Sequence, residues 1–542
     1  MHDDARVFSQ IDDFLDKLAP LSLWAKDVHG RRRVFTDRVE LETRYDDIEA
    51  VHASFSAADA SGIRQDRISY HLKRLPRIPL SVKDSYEVIE LFQVKKYLTN
   101  YHSLRREIPA ETTARFGLVS IAQNLTAELE KGGSDAETFF LADTYHEGLA
   151  SVRASIQENE QAIREERKTS EEGIKKDFGI DLGGRDFVIV DAALVNDGLA
   201  RNAAISLEPY DNGHFVLRPA SSAEHIRLLR EREELLTKES ALEAEVISRL
   251  SALVAAAMPE IRASIDTVIR YDRARTCALL KDRYKLVRPR LSDSLPALTR
   301  GIFVPCQEEC EKLDLAYTPL NLELEHNTLV LFGSNMGGKT VALKTLLFFQ
   351  LLAQSGFLVP AQKFETRVFE DIRYIGELHG ERLSGLSGFG FEIWRFNEVW
   401  KAVQNGLVAF DEFARTTGSH EAEALLSSII EAYTRRSGVC ALFTTHFRGV
   451  IRREGVQYSR MMGLDREAAG ACLDQEAELQ ERLMGINRHM RYEVCPDEGE
   501  EGESDALAIA DMLGADSAIL EEARKILRDN DTDTESNPCA LL

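Results

Sequence analysis

Residues 333–340 read GSNMGGKT, and this octet decides how the second half of the chain folds. An apolar stretch, residues 328–332, precedes it, and a segment with helical spacing, residues 341–352, follows it. The octet fits the pattern GxxxxGK[ST], in which glycines let backbone N–H groups turn inward around phosphate oxygens and the next helix presents its positive N-terminal end. The sequence therefore predicts a strand, a phosphate-binding loop (P-loop) and a helix, in that order.

The residue types in the octet indicate which ligand it binds. Lys339 is expected to reach the β- and γ-phosphates of a nucleotide, and the Thr340 hydroxyl is expected to join the Mg²⁺ shell. The predicted cofactors are therefore ATP and Mg²⁺. The expected nucleotide contacts in the loop are Gly333, Ser334, Asn335, Met336, Gly337, Gly338, Lys339 and Thr340. The alternative is a glycine-rich turn without function, which the flanking strand and helix disfavour.

Length and composition place the chain among multidomain intracellular proteins. At 542 residues it is too long for one hydrophobic core, so two to four domains are expected. The start of the chain lacks a basic leader, and the longest strongly apolar stretch, around residues 346–353, is too short to span a bilayer. We therefore expect a cytoplasmic protein without a membrane partner. The formal net charge of −23 argues against tight non-specific DNA binding, although a local basic patch would be compatible with it.

The first half of the chain predicts two long helices around a small β unit. From residue 134 to 176, and again from 222 to 258, apolar residues recur at helical spacing, and Pro259 is expected to end the second helix. Residues 180–219 contain three strand-like stretches and a hairpin turn at residues 210–213. We expect a helical lever with a β unit at its tip; a plain coiled-coil hairpin is the alternative.

Two carboxylates and a histidine follow later strands of a predicted α/β region. The apolar stretch 407–410 ends in Asp411 and Glu412, and the stretch 439–443 leads through two threonines to His446. We expect Asp411 to hold Mg²⁺, Glu412 to polarise the attacking water and His446 to hydrogen-bond the γ-phosphate. A solvated strand end and a structural histidine are the alternatives.

These motifs, in this order, resemble those of the MutS family of mismatch-repair ATPases. The octet is similar to the family's GPNMGGKST loop, residues 411–417 (DEFARTT) resemble its DEIGRGT, and residues 445–447 (THF) resemble its ATHY or ATHF. Residues 356–361 (GFLVPA) look like the family's GxxVPA segment. Residues 387–393 (SGFGFEI) are similar to STFMVEM, which in the family completes the active site of the neighbouring subunit.

The resemblance implies a homodimer with composite nucleotide sites. Ser387 of one subunit would complete the site of the other, so that ATP joins the ATPase domains and moves the levers. Residues 317–321 (YTPLN) are similar to the family's FVPND stretch, in which an aromatic residue lies against adenine. Tyr317 is therefore expected to contact adenine, and simple core packing is the alternative.

The implied fold is multidomain, with an α-helical core and lever that carry a small β clamp insertion, followed by an α/β P-loop NTPase domain of the ABC type. The expected boundaries are residues 1–50 for an unassigned N-terminal helical segment, 51–290 for the core and lever with the clamp at about 180–219, 291–496 for the ATPase domain, and 497–542 for an acidic linker, C-terminal helices and a disordered tail.

Departures from the family pattern bear on function. The mismatch-reading domain of the family carries a Phe-x-Glu triplet, which does not occur in the first hundred residues, so direct mismatch reading is not expected. Residues 298–303 (LTRGIF) replace the family's GRHP motif. From residue 181 to 219 the chain holds three arginines against six acidic residues, whereas a clamp that grips phosphates should be basic.

Two functions therefore stay open on the sequence alone. The first is a MutS-like ATP-binding and ATP-hydrolysing dimeric clamp or switch, linked to DNA repair or recombination but without direct mismatch reading. The second is a protein-remodelling ATPase with a partner enzyme, for example one that reactivates an adenosylcobalamin-dependent aminomutase. The breadth of the family favours the first function, and the acidic tip favours the second.

Overall fold

The computed structural model describes residues 3–55, 62–133, 138–334, 337–377, 387–466, 479–499 and 505–535. The chain divides into two compact units. Unit 1 combines Met1–Gly62 with Val268–Leu542, and unit 2 is Ile63–Thr267. The N-terminal residues thus belong to the unit that contains the octet, a division that differs from the expected boundaries at residues 50 and 290.

Helices dominate the described residues, with strands in three sheets. In chain order the α-helices are α1 (Asp3–Ser9), α2 (Ile11–Lys17), α3 (Leu23–Gly30), α4 (Arg38–Ser54), α5 (Ile63–Arg74), α6 (Val88–Glu107), α7 (Ala110–Phe116), α8 (Gln123–Leu129), α9 (Glu147–Phe178), α10 (Asp197–Ala200), α11 (Ala223–Leu280), α12 (Val304–Lys312), α13 (Lys339–Gln354), α14 (Gly388–Ala402), α15 (Ser419–Thr434), α16 (Leu479–His489), α17 (Asp505–Met512) and α18 (Ser517–Glu535). The strands are β1 (Val188–Asp191), β2 (Ile205–Asp211), β3 (His214–Pro219), β4 (Arg290–Leu291), β5 (Ala297–Gly301), β6 (Leu320–Glu323), β7 (Thr328–Phe332), β8 (Lys363–Thr366), β9 (Asp371–Ile375), β10 (Gly406–Asp411), β11 (Val439–Thr445), β12 (Val456–Leu464) and β13 (Met490–Pro496).

The largest sheet of unit 1 has the strand order β13-β12-β7-β11-β10-β9. Its neighbours pair in parallel from β12 through to β9, and β13 pairs antiparallel with β12 at one edge. β10 and β11 are buried along almost their whole length, which is why their sequences are continuously apolar. Because these strands are parallel, the carboxyl ends of β7, β10 and β11 lie at one edge of the sheet. The octet follows β7 at this edge, Asp411 ends β10 and His446 follows β11.

The N-terminal helices pack within unit 1, beside this sheet. Phe8 of α1 stacks on Tyr374 of β9 with ring centroids 3.8 Å apart. Phe14 of α2 meets Phe348 of α13 edge-on, with centroids 5.6 Å apart. Buried aromatic pairs of this kind contribute more than their area alone, and they hold α1 and α2 in place. The sequence did not assign this segment because local periodicity does not show which surface a helix covers.

In unit 2 the first long helix, α9, is shorter than predicted. It begins at Glu147, where the side chain of His146 accepts a hydrogen bond from the first turn, instead of at residue 134. Residues 143–145 form a separate 3₁₀ turn before it. Residues 134–137 lie outside the described residues. A capping side chain therefore set the start of the helix, which spacing alone did not reveal.

The prediction that Pro259 ends the second long helix is wrong, because α11 continues through it to Leu280. Proline inside a helix removes one hydrogen bond and costs roughly 3 kcal/mol. Buried apolar residues nevertheless continue at helical spacing beyond it, at Ile261, Ile265 and Val268. Each such side chain contributes about 1.5–3 kcal/mol when buried, so the three together outweigh the lost bond.

The small β unit between α9 and α11 forms as predicted. Its strands have the order β1-β3-β2 and are antiparallel, and residues 212–213 make the turn between β2 and β3. Its apolar core combines Val190, Leu199 and Leu217 with Ile174 of α9. A core of its own excludes the plain coiled-coil hairpin as the structure of this segment.

At the other end of the chain, α17 and α18 lie in the predicted C-terminal region. The tail that the sequence predicted to be disordered beyond Asp529 is helical as far as Glu535. Residues 500–504, in the predicted acidic linker, and residues 536–542 lie outside the described residues. Of the helices that the structure describes, none is both long and apolar enough to cross a bilayer.

Candidate functional site

The glycine loop, residues 333–340, joins β7 to α13. Gly338 precedes α13 with φ at +88°, in the left-handed region that favours glycine. A Cβ atom at this position would lie 2.9 Å from the ring of Tyr492, so a side chain would also be crowded. Asn335 and Met336, both expected nucleotide contacts, lie outside the described residues. The described part of the loop turns sharply into α13 and presents the positive N-terminal end of that helix at the sheet edge.

The ammonium group of Lys339 is enclosed by the loop. Its Nζ donates to the carbonyl oxygens of Gly333 at 2.7 Å and Ser334 at 2.9 Å, and it lies 3.4 Å from Oε1 of Glu412. Only 2% of the side chain is exposed, and burial lowers the pKa of Lys339, opposed by the Glu412 carboxylate. Oγ of Ser334 is buried without a hydrogen-bond partner among the described residues. A buried cation beside an unpartnered hydroxyl suits a ligand with anionic oxygens.

Asp411, at the end of β10, lies against hydroxyl groups from two neighbouring elements. Oγ1 of Thr340 is 3.1 Å from its Oδ1 and 3.2 Å from its Oδ2, and Oγ1 of Thr444 donates to Oδ1 at 2.6 Å. Burial raises the pKa of Asp411, and the two hydroxyls oppose that effect. One carboxylate and one threonine hydroxyl fit Mg²⁺, which takes oxygen ligands and keeps several waters. Among the described residues there is no group of three or more His, Cys, Asp or Glu that could hold a metal ion, so such an ion would also need ligand phosphates.

Glu412 follows with φ at +48°, an uncommon conformation for a residue with a side chain. Its N–H donates to the carbonyl oxygen of Thr444 at 3.1 Å, which holds the turn. Its carboxylate lies between Lys339 and Arg415, with Oε2 at 3.3 Å from the Arg415 Nη1. Such backbone strain costs about 1–3 kcal/mol and is concentrated at functional sites. Lys339, Thr340, Asp411 and Glu412 are hereafter the site cluster.

Glu392 of α14 also supports this turn, although no role was predicted for it from the sequence. Its Oε2 accepts a hydrogen bond from the N–H of Ala414 at 2.9 Å, and Ala414 itself has φ at +65°. The side chain is buried, and burial raises the pKa of Glu392. Two sequence signals pointed to it: a carboxylate in a stretch of helix, residues 389–396, of which half are aromatic, and its place in the motif at residues 387–393.

Ser387 and His446, both predicted site residues, lie outside the site cluster. Oγ of Ser387 caps α14 by accepting from the N–H of Gly390 at 3.1 Å, and the side chain is exposed. His446 directly follows β11 and is exposed, with its ring centroid 4.3 Å from that of Phe447. Within the described part of the chain, neither side chain hydrogen-bonds to the site cluster.

A cavity of about 320 Å³ opens beside the glycine loop, and two tyrosines line it. The hydroxyl of Tyr317 accepts from the N–H of Phe303 at 2.8 Å, and burial raises the pKa of Tyr317. The hydroxyl of Tyr492 donates to Oδ1 of Asn487 at 3.1 Å. The cavity is as large as the smaller ligand pockets, and its two tyrosine rings suit a planar base. Tyr492 was missed because it lies on the edge strand β13, well after the motifs.

Comparison with known proteins places this site in a family context. Residues 329–530 match the family model described as MutS domain V. The protein named endonuclease MutS2 from Listeria monocytogenes is 26% identical over 488 residues, which cover 86% of this chain and 56% of the relative. The DNA mismatch repair protein MutS from Geobacillus kaustophilus is 23% identical over 524 residues, which cover 91% of this chain and 54% of the relative. The chain thus spans about half the length of the curated relatives it matches.

Proposed function

Since the chain belongs to the MutS family, with domain V over residues 329–530, we propose that it is an ATP-hydrolysing switch that works on DNA as a homodimer. One observation carries the ATPase part of this proposal. The structure holds a buried lysine and a threonine of the glycine loop against Asp411 and Glu412, from the end of β10. A cation, a hydroxyl and two carboxylates in contact, beside a cavity that suits a base, provide the groups that phosphoryl transfer to water requires.

ATP would bind with its phosphates in the glycine loop and its base in the cavity lined by Tyr317 and Tyr492. Lys339 would exchange the carbonyl oxygens of Gly333 and Ser334 for phosphate oxygens, which accept stronger, charge-assisted hydrogen bonds. Mg²⁺, held by Thr340 and Asp411, would neutralise charge that develops on the phosphates.

Glu412 is the proposed general base. In the structure Oε1 of Glu412 lies 3.4 Å from Nζ of Lys339, so the two side chains form an ion pair. When Lys339 turns to the phosphates, Glu412 is free to accept a proton from the water that attacks the γ-phosphorus. The strained backbone of Glu412 fixes where that carboxylate can point. His446, at the end of the next strand, is the proposed sensor of the γ-phosphate.

The homodimer part of the proposal rests on α14. Ser387 is exposed at the N-terminus of this helix, where a second subunit could reach it. We assign it to the γ-phosphate of the ATP held by the facing subunit. Glu392 of the same helix holds the turn after Glu412 through Ala414. If α14 shifts when Ser387 contacts the partner's ATP, it would therefore displace the turn that carries Glu412, the general base of its own subunit.

The DNA-linked part rests on the relatives, which are named as an endonuclease and as a DNA mismatch repair protein. These names favour it over the protein-remodelling alternative. The β unit between α9 and α11 is acidic, so DNA contacts are expected elsewhere on the protein. Binding of duplex DNA, measured with an ATP analogue at increasing salt, tests this part. Appreciable affinity that falls steeply with salt supports it, and no binding at low salt contradicts it.

Hydrolysis kinetics of Glu412→Ala test the ATPase part. The variant is expected to bind ATP as the wild type does, and to release phosphate at least about a hundredfold more slowly, because the general base is lost. Glu431→Ala, in α15, is the matched control and should hydrolyse ATP normally. Phosphate release by Glu412→Ala at the wild-type rate would reject the assigned base.

A further inference from the structure

A second cavity in unit 1, of about 110 Å³, has a wall dominated by arginine. The wall of this arginine pocket contains His29 and five arginines, which are Arg31, Arg32, Arg33, Arg44 and Arg273. It lies where α13 ends, whereas the glycine loop lies where α13 begins. A helix of 16 residues, roughly 24 Å long, thus separates the pocket from the site cluster.

Acidic side chains balance two of the five arginines. Arg32 pairs with Asp12 through Nε at 3.1 Å and also with Asp16. Arg44 donates from Nη2 to Oε1 of Glu40 at 2.8 Å. These pairs account for part of the positive charge only.

Arg33 and Arg273 have aromatic neighbours, although the carboxylate of Glu40 also acts on Arg273. The guanidinium carbon of Arg33 lies 5.0 Å from the ring centroid of Phe35, and that of Arg273 lies 5.5 Å from the centroid of Phe357. Within the part of the chain that the structure describes, neither arginine forms an ion pair. The pocket therefore keeps a net positive charge, which is unusual for a partly enclosed space.

Two N–H donors of the pocket, Nε of Arg44 and Nε of Arg273, are buried and find no acceptor among the residues that the structure describes. A buried donor that lacks an acceptor destabilises the fold, and a bound anion would remove that cost. Burial, and then the charge of Arg44, lower the pKa of Arg273 to about 10. Burial also lowers the pKa of His29 to about 4, so His29 is neutral at pH 7. The pocket thus holds buried donor groups that lack an acceptor, beside an uncharged imidazole ring.

The dipole of α13 does not explain this cluster. A helix C-terminus carries about half a negative charge, which one cation satisfies. Two of its last carbonyl groups already accept hydrogen bonds from other residues, that of Ala353 from the Tyr45 hydroxyl and that of Gln354 from the Phe35 N–H, each at 2.7 Å. The unpaired guanidinium charge therefore exceeds what the helix end needs.

We propose that the arginine pocket binds a single phosphoryl group or a similar tetrahedral oxyanion, as inorganic phosphate or as the terminal phosphate of a mononucleotide. Guanidinium groups match such oxygens with paired N–H donors. The volume has room for a few waters, which suits a five-atom oxyanion and is too small for a nucleoside. The proposal goes beyond the ATPase function and does not depend on it.

Thermal unfolding of the full chain in phosphate tests the proposal. The parent protein and every variant in this experiment carry Lys339→Ala, so that phosphate binding at the glycine loop contributes little to the change in Tm. Inorganic phosphate is expected to raise the Tm in a saturable way at constant ionic strength, whereas chloride is not. Arg273→Met and Arg33→Met should each weaken the apparent phosphate affinity by about tenfold or more. Arg435→Met, an exposed arginine outside the pocket, is the matched control and should leave it unchanged.

Arg33 is exposed, so its variant is expected to fold even if Arg273→Met does not. Adenosine monophosphate identifies the source of the phosphoryl group. A saturable shift with this nucleotide that Arg33→Met weakens indicates a terminal phosphate, and a shift with inorganic phosphate alone indicates the free anion. The proposal is overturned if neither inorganic phosphate nor adenosine monophosphate gives a saturable shift, or if Arg33→Met binds the ligand that gives the shift as tightly as its parent.

Discussion

At the scale of single residues, Asp411 lowers the stability of the fold while it serves the proposed function. Burial raises the folded-state pKa of Asp411 above its unfolded value, so the charged carboxylate destabilises the fold at any pH above that folded pKa. Asp411→Asn removes the charge. Without Mg²⁺ at pH 7 this variant is expected to be more stable by about 0.5–1 kcal/mol, while its ATP hydrolysis is lost.

Urea unfolding in EDTA measures this effect. As the pH falls through the folded pKa of Asp411, the wild-type carboxyl takes up a proton, so the advantage of Asn should shrink towards pH 4. Asp13→Asn, an exposed residue of α2, is the control. A variant that is less stable than the wild type at pH 7 would show that the bonds from Thr340 and Thr444 outweigh the cost of burial.

No sequence motif predicted the role that is proposed for Tyr492. If adenine lies in the cavity beside Gly338, Tyr492→Ala should weaken ATP binding about tenfold, because an aromatic contact with a base is lost. Tyr492→Phe keeps the ring and should bind ATP nearly as the wild type does. Titration with a fluorescent ATP analogue measures both. Equal affinity in Tyr492→Ala and the wild type would place adenine elsewhere.

Local motifs predicted the four members of the site cluster because each lies at the end of a strand or at the start of a helix. These positions lie at one edge of the parallel strands of a single sheet. Spacing along the chain is enough to bring such positions together. Glu392 and Tyr492 depend on how α14 and β13 pack, which no local pattern encodes. The roles of Ser387 and His446 stay predictions, since the structure shows them exposed and apart from the cluster.

At the scale of elements, α11 contains a proline that was predicted to end the helix but does not. Periodicity predicted the two long helices and the β unit between them. The ends of the helices were predicted from local rules, such as the rule that proline ends a helix. Pro259 is exposed inside α11, so Pro259→Ala restores a backbone donor without disturbing the core. The variant is expected to be more stable, by up to about 3 kcal/mol.

Urea unfolding followed by circular dichroism measures that change. Ala256→Gly, at an exposed position three residues earlier, provides a control of opposite sign, with an expected loss of about 1 kcal/mol. If Pro259→Ala destabilises the protein, the proline must hold a helix geometry that the packing of Ile261 and Ile265 requires.

At the scale of the whole molecule, the division into units was the part least accessible to sequence. The predicted boundary at residue 50 separated the N-terminal helices from the sheet, yet Phe8 and Phe14 pack within the same unit as β9 and α13. Aromatic contacts between distant segments decide this, and they leave no periodic signal. The family resemblance supplied the order of the motifs but could not supply these contacts.

The proposed function depends above all on ATP hydrolysis at sites that two subunits share. Mixing Lys339→Ala with Ser387→Ala tests it, because each variant alone lacks part of every site. Random exchange of subunits makes half of the dimers mixed, and each mixed dimer has one intact site. Equal amounts are therefore expected to recover about a quarter of the wild-type hydrolysis rate. A mixture that hydrolyses ATP no faster than the average of the two variants would contradict the claim.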